Sequence, residues 1–219
     1  MILVGVHGRI GTGKDTVAAY LCRQWGFGRR GFADALKREV STRLRKTVIT
    51  HLLEADEATR AECHQFEGTA EIEVFWEHRI REALWTEKPP VLRALLQEYG
   101  TEVRRDADAD YWVRAWTETL PADRPFGGVP GWPRIAVPDV RFTNEAAALR
   151  RLGGHLVKVA RSGLRGGAHA SETDLDDWTD WDLVLVNDAS VSALEARVAA
   201  WIAPLLEAAH RGAAGEGGR

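Results

Sequence analysis

The stretch GRIGTGKDT, residues 8–16, decides how the rest of the sequence is interpreted. An apolar run at residues 2–6 precedes it, and from Lys14 onward apolar side chains recur on one helical face. A strand that leads into a glycine-rich turn, followed by a helix, is the context of a phosphate-binding loop. Backbone N–H groups of such a loop point at phosphate oxygens, and the lysine adds a mobile positive charge. The predicted nucleotide-binding residues are Gly8, Arg9, Gly11, Thr12, Gly13, Lys14, Asp15 and Thr16.

One position of this loop departs from the general pattern. A Ser or Thr usually follows the lysine directly and coordinates Mg²⁺, but here Asp15 follows it and the hydroxyl comes one residue later, at Thr16. The form GxxGxGKxT resembles the loops of nucleoside monophosphate kinases rather than those of GTPases. We therefore expect ATP and Mg²⁺ as cofactors, Thr16 as a metal ligand and Lys14 as a catalytic residue. Asp15 is a further candidate catalytic residue, which either tunes the loop or holds metal-bound water.

The composition narrows the class of protein. The chain has 219 residues, 45% of them hydrophobic, and a net charge of −3, so no basic field indicates a nucleic-acid partner. No apolar run is long enough to span a bilayer, and the first residues lack the features of a signal peptide. Its two cysteines have no metal or redox spacing. We predict a cytoplasmic protein with no membrane or nucleic-acid partner, for which a homodimer is possible.

Short apolar runs alternate with helical patterns, which indicates an α/β fold with a parallel sheet flanked by helices. A helical block at about 45–120 interrupts the alternation between the second and third strands, although residues 48–70 have no clear period. We expect the tail from His210 to fray. The predicted strands are 2–6, 28–32, 135–137, 156–159 and 183–186. The predicted helices begin at residues 14, 33, 72, 91, 110, 144 and 190, and the helix 91–99 is expected to end at Gly100.

A second motif, IAVPDVRFTNE at residues 135–145, follows the helical block. A strand that ends in Asp139 can place a carboxylate at the edge where Mg²⁺ or its water binds. Arg141 would project at the same edge, where a cation neutralises charge on a transferring phosphoryl group. The alternative is a turn aspartate that caps a helix beside a surface arginine. With a phosphate-binding loop upstream, we favour Asp139 as a metal ligand and both residues as catalytic.

The order of these segments resembles the phage-type deoxynucleoside monophosphate kinases. The similar segments span most of the chain except about 46–90 and the tail. They are GKDT at 13–16, FADALK at 32–37, LLQEYGTEVRR at 95–105, DVRFTNE at 139–145, GGHLVKVAR at 153–161, HASE at 169–172 and the last strand up to Asn187. The resemblance implies a P-loop kinase core, a helical acceptor-binding insertion at about 45–125 and a lid at about 161–180, in a single domain.

The resemblance also implies residues that bind the acceptor nucleotide. Asp34 and Lys37 would face it, although Lys37 could equally lie on a solvated helix face. Gln97 could read a base edge or be a hydrogen-bonded interior side chain. Of Arg104 and Arg105, one would bind the acceptor phosphate and the other would be a surface charge.

The remaining residues belong to the donor side. Arg161 and Arg165 bracket a glycine-rich run that suits a lid bringing arginine to the phosphates, and the alternative is a plain flexible loop. In related kinases the position of Asn187 forms an edge of the adenine pocket, although it is also a common turn residue.

The implied reaction is transfer of the γ-phosphoryl group of ATP to a (deoxy)nucleoside monophosphate. Two other kinase substrates stay open: a dephospho-coenzyme A-like molecule and a hydroxymethylated base in DNA. A nucleotide-dependent switch or a non-catalytic nucleotide-binding module is the alternative from another class, which Lys14, Asp139 and Arg141 disfavour.

Overall fold

The computed structural model describes residues 1–66, 68–120, 134–164 and 170–216. Within these ranges the strands form one parallel sheet of five, in the order β2-β3-β1-β4-β5. The strands are β1 (Ile2–His7), β2 (Gly28–Arg29), β3 (Arg134–Val137), β4 (His155–Ala160) and β5 (Leu183–Val186). The predicted α/β fold with a parallel sheet is confirmed.

The central strand β1 lies between β3 and β4, with Leu3 opposite Ile135 and Val6 opposite Val157. Its side chains are buried on both faces, which explains why it is a continuous apolar run rather than an alternating one. Helices from both ends of the chain cover one apolar face of the sheet, because Leu21 of the first helix and Ile202 of the last belong to the same buried cluster.

The described residues divide into two compact units. Unit 1 comprises Met1–Gly31 and Leu120–Arg219, and it holds the sheet. Its helices are α1 (Lys14–Trp25), α8 (Thr143–Arg151), α9 (Ala170–Thr173) and α10 (Val191–Glu216).

Unit 2, Phe32–Thr119, is entirely helical where the structure describes it. A second buried cluster, which includes Val40, Leu52, Trp76 and Leu92, forms its core. Its helices are α2 (Ala33–Arg43), α3 (Arg45–Ala55), α4 (Glu57–Cys63), α5 (Thr69–Glu82), α6 (Pro90–Glu98) and α7 (Tyr111–Thr117), with π-helical turns at Ala83–Glu87 and Tyr99–Arg105.

Several predicted element bounds are wrong. The strand 28–32 is only Gly28–Arg29, and α10 continues through the predicted frayed tail to Glu216. Residues 48–70, which had no clear period, lie mostly in α3 and α4. The second of these helices has only seven residues, too few turns for a strong periodic signal.

Gly100 does not end a helix, because the chain continues through it in the π-helical turn Tyr99–Arg105. A Cβ at Gly100 would lie 2.8 Å from Leu36, and the Gly100 carbonyl accepts a hydrogen bond from the Trp112 indole at 2.9 Å. The glycine is needed for close packing between helices rather than for a left-handed cap, and these two uses look alike in a sequence. No helix in the described ranges has the length and apolar character required to cross a membrane.

Candidate active site

The carboxyl ends of the parallel strands bring together the candidate residues of unit 1. The glycine-rich loop follows β1, Asp139 and Arg141 follow β3, Arg161 follows β4 and Asn187 follows β5. Ligands of open α/β sheets bind at this edge, next to the point where the strand order reverses. Here that point is β1, whose neighbours β3 and β4 lead on to the two halves of the sheet.

The loop backbone has the conformation that its glycines permit. Gly11 and Gly13 have φ angles of 82° and 99°, in the left-handed region that other residues rarely adopt. A Cβ at Gly8 would lie 2.7 Å from the Val159 carbonyl oxygen. The Thr12 hydroxyl donates to the Arg9 carbonyl at 2.9 Å and closes the turn. The glycine spacing is therefore a steric requirement of this turn.

Lys14 begins α1 and is only 9% exposed. Its ammonium nitrogen lies 3.1 Å from an Asp15 carboxylate oxygen, and the Asp15 side chain is 65% exposed. The other Asp15 oxygen is 3.9 Å from Arg29. Since Gly13 at the N-cap has no side chain to accept from the first N–H groups of α1, these groups and Lys14 can both serve an anion.

Asn187 and Asp176 support the loop from outside it. The Asn187 amide donates to the Thr12 carbonyl at 2.8 Å, and a Cβ at Gly13 would lie 2.5 Å from the same amide nitrogen. Arg9 donates to both oxygens of Asp176 at 3.0 and 2.8 Å. The contact that the structure gives Asn187 is thus with the loop backbone, and its place at an adenine pocket stays a prediction. Asp176 was not identified from the sequence because it lies in no recognisable motif.

Asp139 and Arg141 lie just beyond β3. Gly31 allows the Asp139 carboxylate to approach its backbone, because a Cβ there would lie 2.5 Å from a carboxylate oxygen. The Arg141 guanidinium pairs with Glu172 at 2.7 Å and contacts the Ser171 hydroxyl at 3.4 Å. Arg141 is therefore held at this edge by two side chains, and its catalytic role stays a prediction.

Two other carboxylates accept hydrogen bonds from backbone N–H groups at the start of α8. Glu145 accepts from the backbone N–H groups of Arg141 and Phe142 at 2.8 and 3.2 Å. Asp174 accepts from the Thr143 N–H at 2.6 Å. The sequence motif DVRFTNE thus contains a buried glutamate, 2% exposed, that fixes the backbone of the arginine four residues before it.

His7 connects β1 to this region. It is 4% exposed, its Nδ1 donates to the Val140 carbonyl at 2.9 Å, and its ring stacks on Trp181 with centroids 5.3 Å apart. Burial lowers the pKa of the imidazole below its ordinary value. A neutral His7 therefore joins the end of β1 to the residue that separates Asp139 from Arg141. Sequence analysis missed it, because a histidine before a glycine-rich turn has no distinctive pattern.

The side chains predicted to hold magnesium, those of Thr16 and Asp139, have the oxygen chemistry that this ion accepts when it is shared with phosphates. Among described residues there is no group of three or more His, Cys, Asp or Glu side chains that could hold a metal. Mg²⁺ keeps several waters and is usually held by one or two protein oxygens together with substrate phosphates. A hydroxyl at Thr16 and a carboxylate at Asp139 are donors of this type.

In unit 2, Lys37 is buried and paired. It is 5% exposed, its ammonium nitrogen is 3.5 Å from Asp34, and it lies 5.6 Å from the centre of the Trp85 ring. The alternative of a solvated helix face is therefore wrong. The sequence left that alternative open because a lysine on an amphipathic helix is normally exposed.

Arg104 lies in a polar network within unit 2. Its guanidinium pairs with Glu39 and lies over the rings of Tyr99 and Tyr111, 5.3 and 4.9 Å from their centres. Both tyrosine hydroxyls also donate to Glu39, at 2.8 and 2.7 Å, and together these bonds lower the pKa of its carboxyl group despite its partial burial. Arg104 is consequently held in one orientation.

The other two acceptor candidates have simpler surroundings. Arg105 donates to the Ala109 carbonyl at 3.4 Å. Gln97 is exposed on α6, so the alternative of an interior glutamine is wrong. Its neighbour Leu92 points into the core, and Gln97 lies on the opposite side of the helix.

The predicted lid is described only in part. Arg161 is exposed after β4, and the next residue, Ser162, bonds Asp188 through its N–H at 2.8 Å. Arg165 and His169 lie outside the described residues. The described part after residue 169 contains Glu172 and Asp176, which hold Arg141 and Arg9.

Comparison with known proteins identifies the family. The family model for deoxynucleotide monophosphate kinase matches residues 44–198. A protein of Acanthamoeba polyphaga mimivirus with the provisional name deoxynucleotide monophosphate kinase is 30% identical over 210 residues, which are 90% of this chain and 94% of the relative. The family match begins after the glycine-rich loop, whereas the viral relative aligns with most of the chain. The chain therefore belongs to the deoxynucleotide monophosphate kinase family and is a phosphotransferase.

Proposed function

We propose that this nucleotide kinase transfers the γ-phosphoryl group of ATP to the 5′-phosphate of a deoxynucleoside monophosphate, with Mg²⁺ as cofactor. The observation that carries the proposal is the position of Lys14, a buried lysine at the start of α1 beneath a glycine-rich turn. The products are ADP and a nucleoside diphosphate. An acceptor phosphate oxygen forms the new bond to the γ-phosphorus as the bond to the β,γ-bridging oxygen breaks.

Several groups of unit 1 would bind the triphosphate. The loop N–H groups and the N-terminus of α1 favour anions, and Lys14 is the adjacent point charge. On binding, Lys14 would exchange its exposed partner Asp15 for phosphate oxygens. We assign to Asp15 the role of holding the ammonium group in the loop before the nucleotide arrives.

Thr16 and Asp139 would hold Mg²⁺, which supplies charge neutralisation on the phosphate oxygens. The protein supplies the remaining positive charge. Arg141 is anchored at the same edge, where a guanidinium stabilises the charge that shifts during transfer. The acceptor phosphate is already an anion, so the chemistry requires positioning and charge neutralisation rather than a strong general base.

We assign the acceptor to unit 2. Three observations support this: the buried pair of Lys37 and Asp34, the ring of Trp85 beside that pair, and the fixed orientation of Arg104. A lysine that is buried and paired is unusual in a purely structural helical unit. Arg161 and Arg165 would close over the phosphates and exclude water, which otherwise competes as the acceptor.

A coupled ADP-release assay with each of the four deoxynucleoside monophosphates, and with their ribose counterparts, tests the proposal. We expect acceptor-dependent ADP formation that EDTA abolishes and excess Mg²⁺ restores. The matched control is the Lys14→Met variant, purified and assayed in the same way. A contaminating kinase would produce ADP in both preparations, whereas the activity of this protein should be lost in the variant. ADP formation that is independent of every monophosphate would contradict the proposed acceptor class.

A further inference from the structure

Two buried carboxylates of unit 1 have no place in the mechanism above. Glu145 is 2% exposed and Glu172 is 7% exposed. A buried carboxylate is costly unless it is paired and hydrogen-bonded. Both of these are bonded to the same residue: Glu145 accepts from the Arg141 N–H at 2.8 Å, and Glu172 accepts from the Arg141 guanidinium at 2.7 Å. Two buried carboxylates therefore both bind Arg141, one through its backbone and one through its side chain.

The contacts of the Arg141 guanidinium leave some of its N–H donors available for a ligand. Within the described ranges, its guanidinium hydrogen bonds are made by Nη1 alone, to Glu172 and Ser171. A guanidinium has five N–H donors, so Nε and Nη2 keep donors for a ligand. The side chain is 32% exposed, compared with 7% for Glu172. The buried carboxylate therefore binds the guanidinium through Nη1 and leaves its other nitrogens to a ligand.

We propose that Glu172 is a positioning residue that fixes the Arg141 guanidinium for phosphoryl transfer, with Glu145 fixing its backbone. This inference rests on the proposed function, in which Arg141 contacts the transferring group. A charge stabiliser is effective when it is already oriented, because reorientation during the reaction would offset the gain. A flexible arginine at a sheet edge would need to be ordered in each cycle, and the two glutamates remove that need.

Three variants at residue 172 separate geometry from charge. Glu172→Asp keeps the charge but withdraws the carboxylate by one methylene, and Glu172→Ala removes the partner. We expect both to lower kcat about 10–100-fold, with the KM values of both nucleotides little changed, because misplacement of a catalytic group by about 1 Å has effects of this size. Glu172→Gln keeps an oxygen acceptor at the same reach and should retain most of the activity. Wild-type kcat in the Asp variant would overturn the positioning role.

A double-mutant cycle shows whether Glu172 acts through Arg141. In an Arg141→Ala background, Glu172→Ala should have almost no further effect on kcat, since there is no guanidinium left to position. Multiplied losses in the double variant would overturn the inference. Arg141→Ala leaves a buried carboxylate unpaired and could fold poorly, so Arg141→Gln is the second background. Its amide can still donate to Glu172 but carries no charge to position, so its cycle with Glu172→Ala is expected to show the same non-additivity.

A measurement without turnover distinguishes failure of this inference from failure of the proposed function. Nitrogen-detected NMR of the Arg141 side chain reports rotation about its Nε–Cζ bond. We expect slow rotation in the wild type and fast rotation in Glu172→Ala. Glu195→Gln is the matched control, because Glu195 pairs with Arg23 at 2.9 Å in the same unit and should change neither rotation nor kcat. Fast rotation in the wild type would overturn the inference, whereas loss of acceptor-dependent turnover with slow rotation would overturn only the proposed function.

Discussion

Lys14 in unit 1 and Arg79 in unit 2 are almost equally buried cations with opposite surroundings. Their side chains are 11% and 12% exposed. The ion pair that the structure gives Lys14 is with a carboxylate that is itself 65% exposed. Arg79 pairs with three carboxylates, those of Asp56, Glu82 and Glu87, at 3.0, 3.7 and 2.9 Å.

The difference is the one expected between a cation that serves a ligand, as we propose for Lys14, and one that stabilises a fold. Arg79 also donates to the Thr59 hydroxyl at 2.8 Å, so it connects α4, α5 and the π-helical turn after α5. Its burial is compensated within the protein. In the part of the chain that the structure describes, Lys14 pairs with the exposed Asp15, and the N-cap of α1 offers no side-chain acceptor to the adjacent N–H groups. A desolvated cation in that position is suited to an anion that comes from outside.

The largest expected effect is on catalysis at Lys14. Lys14→Met should lower kcat by at least roughly a hundredfold, as for the removal of one preorganised charge stabiliser. The melting temperature should stay near that of the wild type, because the side chain serves a ligand and methionine fills similar space. Lys46→Met, at an exposed position in α3, is the control and should match the wild type in both measurements. A wild-type kcat for Lys14→Met would overturn the phosphate-binding loop.

Arg79→Met tests the other half of the comparison. We expect a loss of about 1–3 kcal/mol in the free energy of unfolding, a modest figure because the three carboxylates are each a third or more exposed. The kcat of the folded fraction should change little. Denaturant unfolding and steady-state kinetics on the same preparation measure both. If Arg79→Met lost kcat and kept its stability, Arg79 would belong with Lys14 as a ligand-binding cation.

Arg104 and Arg105 sharpen the comparison within one short segment. Arg104 pairs with Glu39 and lies over two rings, yet its side chain is still 26% exposed. We expect Arg104→Ala to raise the KM of the acceptor about tenfold or more, equivalent to one charged hydrogen bond. Arg105→Ala should have a much smaller effect, and neither should change the KM of ATP. Equal changes in both KM values would place these residues outside the acceptor site.

The parts of the fold that are determined by residues close together in the sequence could be predicted from it. The strand before the glycine-rich loop, the loop itself and the strand Leu183–Val186 follow from local patterns of apolar residues and glycine. The side chains that support the candidate site could not be predicted, because they come from positions far away in the sequence. Glu172 reaches Arg141 across 31 residues and Asn187 reaches Thr12 across 175. Neither contact leaves a local pattern.

Burial was the other quantity that the sequence did not provide. Lys37 and Gln97 both lie on amphipathic helices, and the sequence left two environments open for each. The structure shows a buried Lys37 and an exposed Gln97, whereas the alternatives were a solvated lysine and an interior glutamine. The side of a helix that faces the core is set by all its neighbours in unit 2, and two of these, α3 and α4, had not been predicted. With those helices missing, the inner surface of α2 and α6 could not be assigned.

The smallest expected effect concerns acid stability, in which the two units should respond in different pH ranges. Burial lowers the pKa of His7 in unit 1 below its ordinary 6.5, and this outweighs the hydrogen bond to Val140. Lys158 and Arg141 also lower it and Asp176 raises it. The unfolded state then binds more protons than the folded state below about pH 6.5, so the stabilisation is complete above that pH and decreases as the pH falls.

In unit 2, bonds from Thr59 and Arg79 lower the pKa of Asp56 from 3.8 to about 2. Its stabilisation is complete above pH 3.8 and is lost only as the pH falls toward about 2. Hydrogen exchange of peptides from each unit, measured along a pH series, should show unit 1 losing protection first. His7→Asn, which keeps an amide donor for Val140, should flatten the dependence below pH 6.5, and Asp56→Asn should flatten only the one below pH 3.8. Simultaneous loss of protection in both units would show that they unfold together. In that case His7 and Asp56 would not set the pH dependence of their own units.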